Sequence, residues 1–218
     1  AVVRRCVVST CQTGIRSNTV DDCQVSNSEA NAISCTTAAN CIGTSLFWQG
    51  IDATSATNCY GRSTSGNGIR ADTATSCKGC SSGDMAGLSC HTGIGCEGYN
   101  NTGGIGLAAR SATGCTGNSI HGTGLFADNA TNCQGTSSTG TGLDTNSNAN
   151  DYTGTATGCT GISETGHGLI AAIATNCTGR TTDKSKIAVW VSGTATGCRA
   201  TNTGATGTGA QSAITCTI

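Results

Sequence analysis

The string SATNCYG at residues 55–61 returns along the chain as TATSCKG, SATGCTG, NATNCQG, TATGCTG, IATNCTG and TATGCRA, always with cysteine in the same place. The motif cysteines are Cys23, Cys41, Cys59, Cys77, Cys96, Cys115, Cys133, Cys159, Cys177, Cys198 and Cys216, separated by 18, 18, 18, 19, 19, 18, 26, 18, 21 and 18 residues. A unit this short cannot bury an apolar face alone, so it must stack on its neighbours. Cys6, 17 residues before Cys23, opens an imperfect first unit, and residues 1–218 read as one domain with an irregular coil at 1–22.

With the cysteine as position 1, an aliphatic residue holds position 11 in each unit: Ile15, Ile33, Ile51, Ile69, Leu88, Leu107, Leu125, Leu143, Leu169 and Ile187. Small residues hold position 13 (Ala53, Ala71, Ala109, with Cys35 and Cys90 as equivalents), and alanine recurs at position 16. Positions 11 and 13 point inward as alternate residues of a strand. The residue before each cysteine is mostly Asn or Gly, the types that adopt a left-handed backbone most readily, which places a sharp bend there. The Gly pair ahead of position 11, such as Gly66 and Gly68, marks a second bend. Short strands between fixed bends at this period predict an all-β, single-stranded parallel β-helix of about 11 coils. At about 4.8 Å per coil the rod would be roughly 50 Å long. Inward positions spaced 11, 13, 16 and 1 do not fit the three hexapeptides of a left-handed coil, so a right-handed helix is expected.

Composition removes the alternatives. With 3% aromatic residues, one Met, no Pro and 33 Gly, the chain cannot build an ordinary globular core, yet its apolar residues keep a register that disordered segments lack. A net charge of −1 offers no basic face to nucleic acid, and no apolar run reaches membrane-spanning length. The opening AVVRRCVVST lacks the apolar core of a signal peptide, so for an exported protein the numbering is expected to begin after cleavage.

Units of the form ATNCxGxSxxGxGLxA, over about residues 23–216, resemble the repeats of secreted bacterial right-handed parallel β-helix proteins. The resemblance implies the architecture and an extracellular or cell-surface setting. It implies no particular activity, because that fold hosts lyases, adhesins, tail spikes and structural fibres.

The cysteines follow the bend and point inward, forming a core ladder. Strand spacing lies inside the Cα window for a disulfide, but stacked parallel strands aim their Cβ atoms the same way, which favours buried free thiols acting as small apolar fillers. A thiolate metal array needs compact C-x-x-C clusters, and only Cys77 and Cys80 have that spacing, with Cys80 expected to point outward. No metal or cofactor is therefore expected. Cys6 and Cys11 are the local pair expected to form a disulfide. Ser45, Ser63, Ser81, Asn100, Ser119, Ser137, Ser163 and Thr181 form a polar column at position 5, able to hydrogen-bond along the stack.

Three function classes follow. Catalysis would need convergent carboxylates; the nearest cluster is Asp52, Arg70, Asp72 and His91, whose mixed charges read as a solvated face, and His91, His121 and His167 occupy unrelated positions. The chain is therefore not expected to be an enzyme. Loop insertions near 146–153 and 190–192 enter at one bend, and their Tyr152 and Trp190 offer rings to a glycan. Positions 15 and 17 flank an inward alanine and point outward together as Ser55/Thr57, Thr73/Thr75, Ser111/Thr113, Thr155/Thr157 and Thr194/Thr196, with Thr131 and Thr175 in the same columns. This array resembles the threonine faces of β-solenoid antifreeze proteins, which makes ice a candidate partner. The leading expectation is an extracellular structural rod. The chain stops at SAITCTI, where Cys216 would open a new coil, and starts at AVVRRCVV with no capping helix, so two complementary edges would stack head to tail into a homopolymer.

Overall fold

A computed structural model of the chain describes residues 1–145, 153–204 and 214–216. Within them all regular structure is β and every strand pairing is parallel. One coil consists of a long strand such as Ile51–Thr57 and a short one such as Tyr60–Ser63. Each pairs with its equivalent in the next coil, Ile69–Thr75 and Lys78–Ser81. The long strands build a 13-stranded sheet and the short ones an 11-stranded sheet, giving a solenoid of roughly 11 coils at about 18 residues per turn.

The bend before each cysteine is a left-handed residue. Asn40, Asn58, Ser76, Asn132 and Asn176 have φ between 51° and 52°, and Gly95, Gly114, Gly158 and Gly197 between 59° and 63°. The chain therefore leaves the long strand at position 18 and enters the short one after the cysteine. The second bend works differently. Its glycines have no left-handed φ and are required by space: a Cβ on Gly124 would lie 2.4 Å from the Thr136 amide nitrogen of the next coil. The glycine at position 3 of the repeat has the same cause, since a Cβ on Gly117 would lie 2.2 Å from the Gly124 carbonyl oxygen. The two sheets approach so closely there that backbone packs on backbone.

The interior is thin and made of columns. Ile33, Ile51, Ile69, Leu88, Leu107, Leu125, Leu143 and Leu169 are fully buried in register, each contributing about 1.5–3 kcal/mol through removal from water. Ile187 does not continue this column. Val189 pairs with Leu169 instead, so two of the three extra residues between Cys177 and Cys198 lengthen the turn ahead of Val189, and one forms the bulge between Val191 and Thr194. The other long insertion lies between the strands Leu143–Asp144 and Thr155–Thr157; residues 146–152, Tyr152 among them, fall outside the described residues.

The position-5 column is buried, but its hydrogen bonds run to backbone. Ser119 Oγ donates to the Gly104 carbonyl of the preceding coil at 2.7 Å and accepts from the Gly122 amide of its own turn at 2.9 Å. Ser137 and Ser163 repeat both bonds. Each hydroxyl thus ties one turn to the next and satisfies groups that burial would leave unpaired.

The glycine column predicts a steep steric cost. Gly117→Ala should lower the urea-unfolding midpoint by the equivalent of about 1–3 kcal/mol or more through overpacking. Gly114→Asn, at a left-handed position that Asn already fills in other coils, should change it far less. Equal midpoints for the two variants would contradict this account.

Candidate functional site

The cysteines occupy the corner between the sheets. Cys23, Cys41, Cys59, Cys77, Cys96, Cys115, Cys133, Cys159 and Cys177 are buried and Cys198 is half-buried; all are free thiols, as are Cys6, Cys11, Cys35, Cys80 and Cys90. The amide of Cys115 donates to Cys133 Sγ at 3.4 Å and that of Cys133 to Cys159 Sγ at 3.4 Å, so each sulfur reaches back toward the preceding coil. Cys115 Sγ in turn donates to the Thr113 carbonyl at 3.5 Å. Hydrogen bonds between neighbouring thiols lower Cys77 and Cys115 and raise Cys59, Cys96 and Cys159, whose burial acts in the same upward direction.

Two expectations about cysteine are corrected. Cys6 and Cys11 are free thiols, because Val7–Cys11 is a strand and extension carries the two apart by several residue rises of about 3.3 Å. Cys216 does not join the corner ladder: the strand Ile214–Cys216 pairs with Val189–Val191, which puts Cys216 opposite Val191, in the position-13 column. Among the described residues no group of three or more His, Cys, Asp or Glu converges as metal ligands would.

Outward, the threonine columns form in strict register. Position 15 runs Thr37, Ser55, Thr73, Thr92, Ser111, Asn129, Thr155, Ile173 and Thr194, and position 17 runs Thr57, Thr75, Ile94, Thr113, Thr131, Thr157, Thr175 and Thr196. Their side chains are exposed or half-exposed, while Ala56, Ala74, Ala112, Ala130, Ala156 and Ala174 between them are buried. Asn129 stays within the pattern by accepting a hydrogen bond from Thr155 Oγ1 at 2.7 Å.

A second surface feature lies where the long strand breaks its alternation. Ala53 and Ala56 are both buried although three residues apart, and the pairing steps from Ala53/Ala71 to Ser55/Thr73 over position 14. Around that break the structure brings together the expected charged cluster. Arg70 Nε lies 3.4 Å from Asp52 Oδ1, His91 Nδ1 lies 3.3 Å from Asp72 Oδ1, and Asn31 Nδ2 donates to Asp52 Oδ2 at 3.2 Å. Asp52, Arg70, Asp72 and His91 line a hollow of about 430 Å³ with Ala53, Ala71 and Cys90.

His121 and His167 lie elsewhere. His121 Nδ1 is 3.3 Å from Thr139 Oγ1, and His167 Nδ1 accepts the Ile187 amide at 3.2 Å, with burial lowering its pKa. Trp190 is half-buried in a strand, opposite Ile170. Sequence reasoning missed the exposed aromatic pair Phe47 and Trp48, 61% and 60% accessible, in the turn of a coil beside the charged cluster. The signal was present in the turn sequence SLFWQG, where the next coil reads STSGNG.

No family model matches the sequence, and neither a curated protein nor a solved structure matches it. Among the described residues no helix is long and apolar enough to cross a membrane.

The position-13 thiols set a pH dependence. Burial first, then neighbouring charge, pushes Cys35 and Cys90 from 9.0 to about 12, so the folded chain keeps protons that the unfolded chain releases. Their contribution to stability is complete below pH 9 and is lost as pH rises toward about 12. The urea midpoint under reducing conditions should therefore fall between about pH 8 and about pH 10.5, and Cys90→Ala should flatten the slope. A midpoint that rises over that interval would contradict the assignment.

Proposed function

We propose that this chain is a rigid β-solenoid whose flat Thr-x-Thr face binds a periodic solid surface, with ice as the target. The observation that supports this reading is the register: two columns of hydroxyl and methyl groups repeat at about 4.8 Å along the axis and lie about 6.7 Å apart across it, as strand spacing and a two-residue rise require. Side chains held by a hydrogen-bonded sheet lose little freedom on binding, and threonine joins a methyl to a hydroxyl in one stiff rotamer set. Ile94 and Ile173 interrupt the chemistry but keep the register, and both are exposed apolar groups on the same columns.

Purified protein should show thermal hysteresis and shape growing ice crystals. Thr113→Tyr and Thr131→Tyr, which raise bulky rings from the face without touching the core, should abolish most of the effect. Absence of hysteresis at every soluble concentration, or full activity in both variants, would rule the face out.

Head-to-tail self-association is a second reading, favoured by one feature of the fold. Each coil presents its neighbour with parallel strand edges bearing the same columns, so a coil of another molecule can continue both sheets in a heterologous contact that does not close. An extracellular setting suits both readings. Electron microscopy should then show thin unbranched fibres with a subunit repeat of roughly 50 Å; strictly monomeric protein at high concentration would exclude them.

A further inference from the structure

We propose that a polar groove along the amino-terminal coils is a binding site for a neutral glycan chain, separate from the threonine face. Three adjoining hollows of about 440, 380 and 430 Å³ all include Ser34; Arg16 and Asp52 each line two of them. They merge into one furrow beside the break in the long strands. The register explains its place. Position 12 reads Arg16, Ser34, Asp52, Arg70 and Ser89 in five successive coils, and then Ala108, Phe126, Asp144, Ile170 and Trp190, in which a single polar residue stands among apolar ones. Small residues, Cys35, Ala53, Ala71 and Cys90, leave room below. Five coils at about 4.8 Å per step give a furrow about 19 Å long, which suits an extended oligomer better than a single small molecule.

The lining defines the ligand. Two arginines, Arg16 and Arg70, balance two aspartates, Asp52 and Asp72, so the furrow carries no strong field for a polyanion or a polycation. Ser34 and Thr54 add hydroxyls. Asp52 is held from two sides, by Asn31 and Arg70, and is therefore oriented before any ligand arrives. Preorganised carboxylate and guanidinium groups with neighbouring hydroxyls match the paired donor and acceptor character of sugar hydroxyls.

Trp48 supplies the apolar element. It lines the same furrow as Asp52 and Arg16, and its indole is 60% accessible. Its backbone is fixed: the amide donates to Ser45 Oγ at 3.0 Å, and the carbonyl accepts the Ser63 hydroxyl of the next coil. An exposed indole on an anchored turn, above a hydroxyl-binding furrow, offers its face to the C–H groups of a sugar ring. A peptide ligand would call for apolar side-chain pockets, whereas besides this ring the apolar lining is the core residue Ile15 and the small Ala30, Ala53 and Ala71.

The test is native affinity electrophoresis of the full chain in gels containing hydroxyethylcellulose, laminarin or galactomannan, with polygalacturonate as the anionic comparison. At least one neutral glycan should retard the protein. Trp48→Ala and Asp52→Ala should each weaken retardation by about tenfold or more, the loss expected for an anchor residue. Both sites are exposed or half-exposed, so circular dichroism should show an unchanged fold, and the backbone bonds of residue 48 survive truncation. Thr131→Tyr, four coils from Asp52 along the axis, should bind as the parent does, which separates failure of this site from failure of the ice-binding reading. Retardation by no neutral glycan, retardation by polygalacturonate alone, or parental binding in Trp48→Ala would each overturn the proposal.

Discussion

Backbone hydrogen bonds between coils, directed along the axis, are the constraint on which the rest of the structure depends. The amide of each residue after the corner cysteine bonds the cysteine carbonyl of the coil before it, at 2.8 Å for Tyr60, Lys78, Glu97 and Thr116. Such bonds hold consecutive coils in parallel register, so like positions must lie on top of one another. Every side-chain choice is then repeated down a column. A residue that fits once fits many times, and one that clashes clashes with its own copy in the next coil.

That multiplication accounts for the odd composition. The interior is narrow, and where the sheets approach most closely only hydrogen is accommodated, hence the glycine columns of Gly117 and Gly124. The corner offers a little more room, and the thiol fills it. Cysteine there is apolar enough for burial, and its sulfur can still accept an amide and donate to a carbonyl, as Cys115 and Cys133 do. Serine at position 5 meets a different need, since the turn beside it leaves both an amide and a carbonyl to be satisfied. Large aromatic residues have no place inside, which is why those among the described residues, such as Phe47, Trp48 and Phe126, sit in turns or on outward positions.

The outer faces carry the variety that the interior forbids. Between positions 15 and 17 the repeat is nearly uniform and yields a lattice of hydroxyls and methyls. At position 12 the amino-terminal coils are the more polar, and the change from Arg16, Asp52 and Arg70 to Ala108 and Phe126 confines the charged furrow to one stretch of surface. One scaffold thus presents a periodic face and an aperiodic one, suited to different classes of target.

The period, the inward columns, the left-handed bend before each cysteine and the outward threonines were all legible in the residues, because a repeat writes each structural requirement many times over. The charged cluster could also be placed, since equal positions in successive units must be neighbours. What the repeat could not supply was local. Counting from Cys177 assigns Ile187 to the aliphatic column and counting to Cys216 assigns that residue to the corner, but an extra residue can be absorbed at either bend, and only the strand pairing shows that Val189 and Ile214 hold the column. Proximity in sequence suggested a bond between Cys6 and Cys11 that an extended strand forbids. The closeness of the two sheets, which makes glycine obligatory by space at one bend while backbone conformation selects it at the other, and the placing of Trp48 beside the hollow that Arg16, Ser34 and Asp52 of successive coils line, were decided by the tertiary structure alone. They depend on distances between segments that no period specifies.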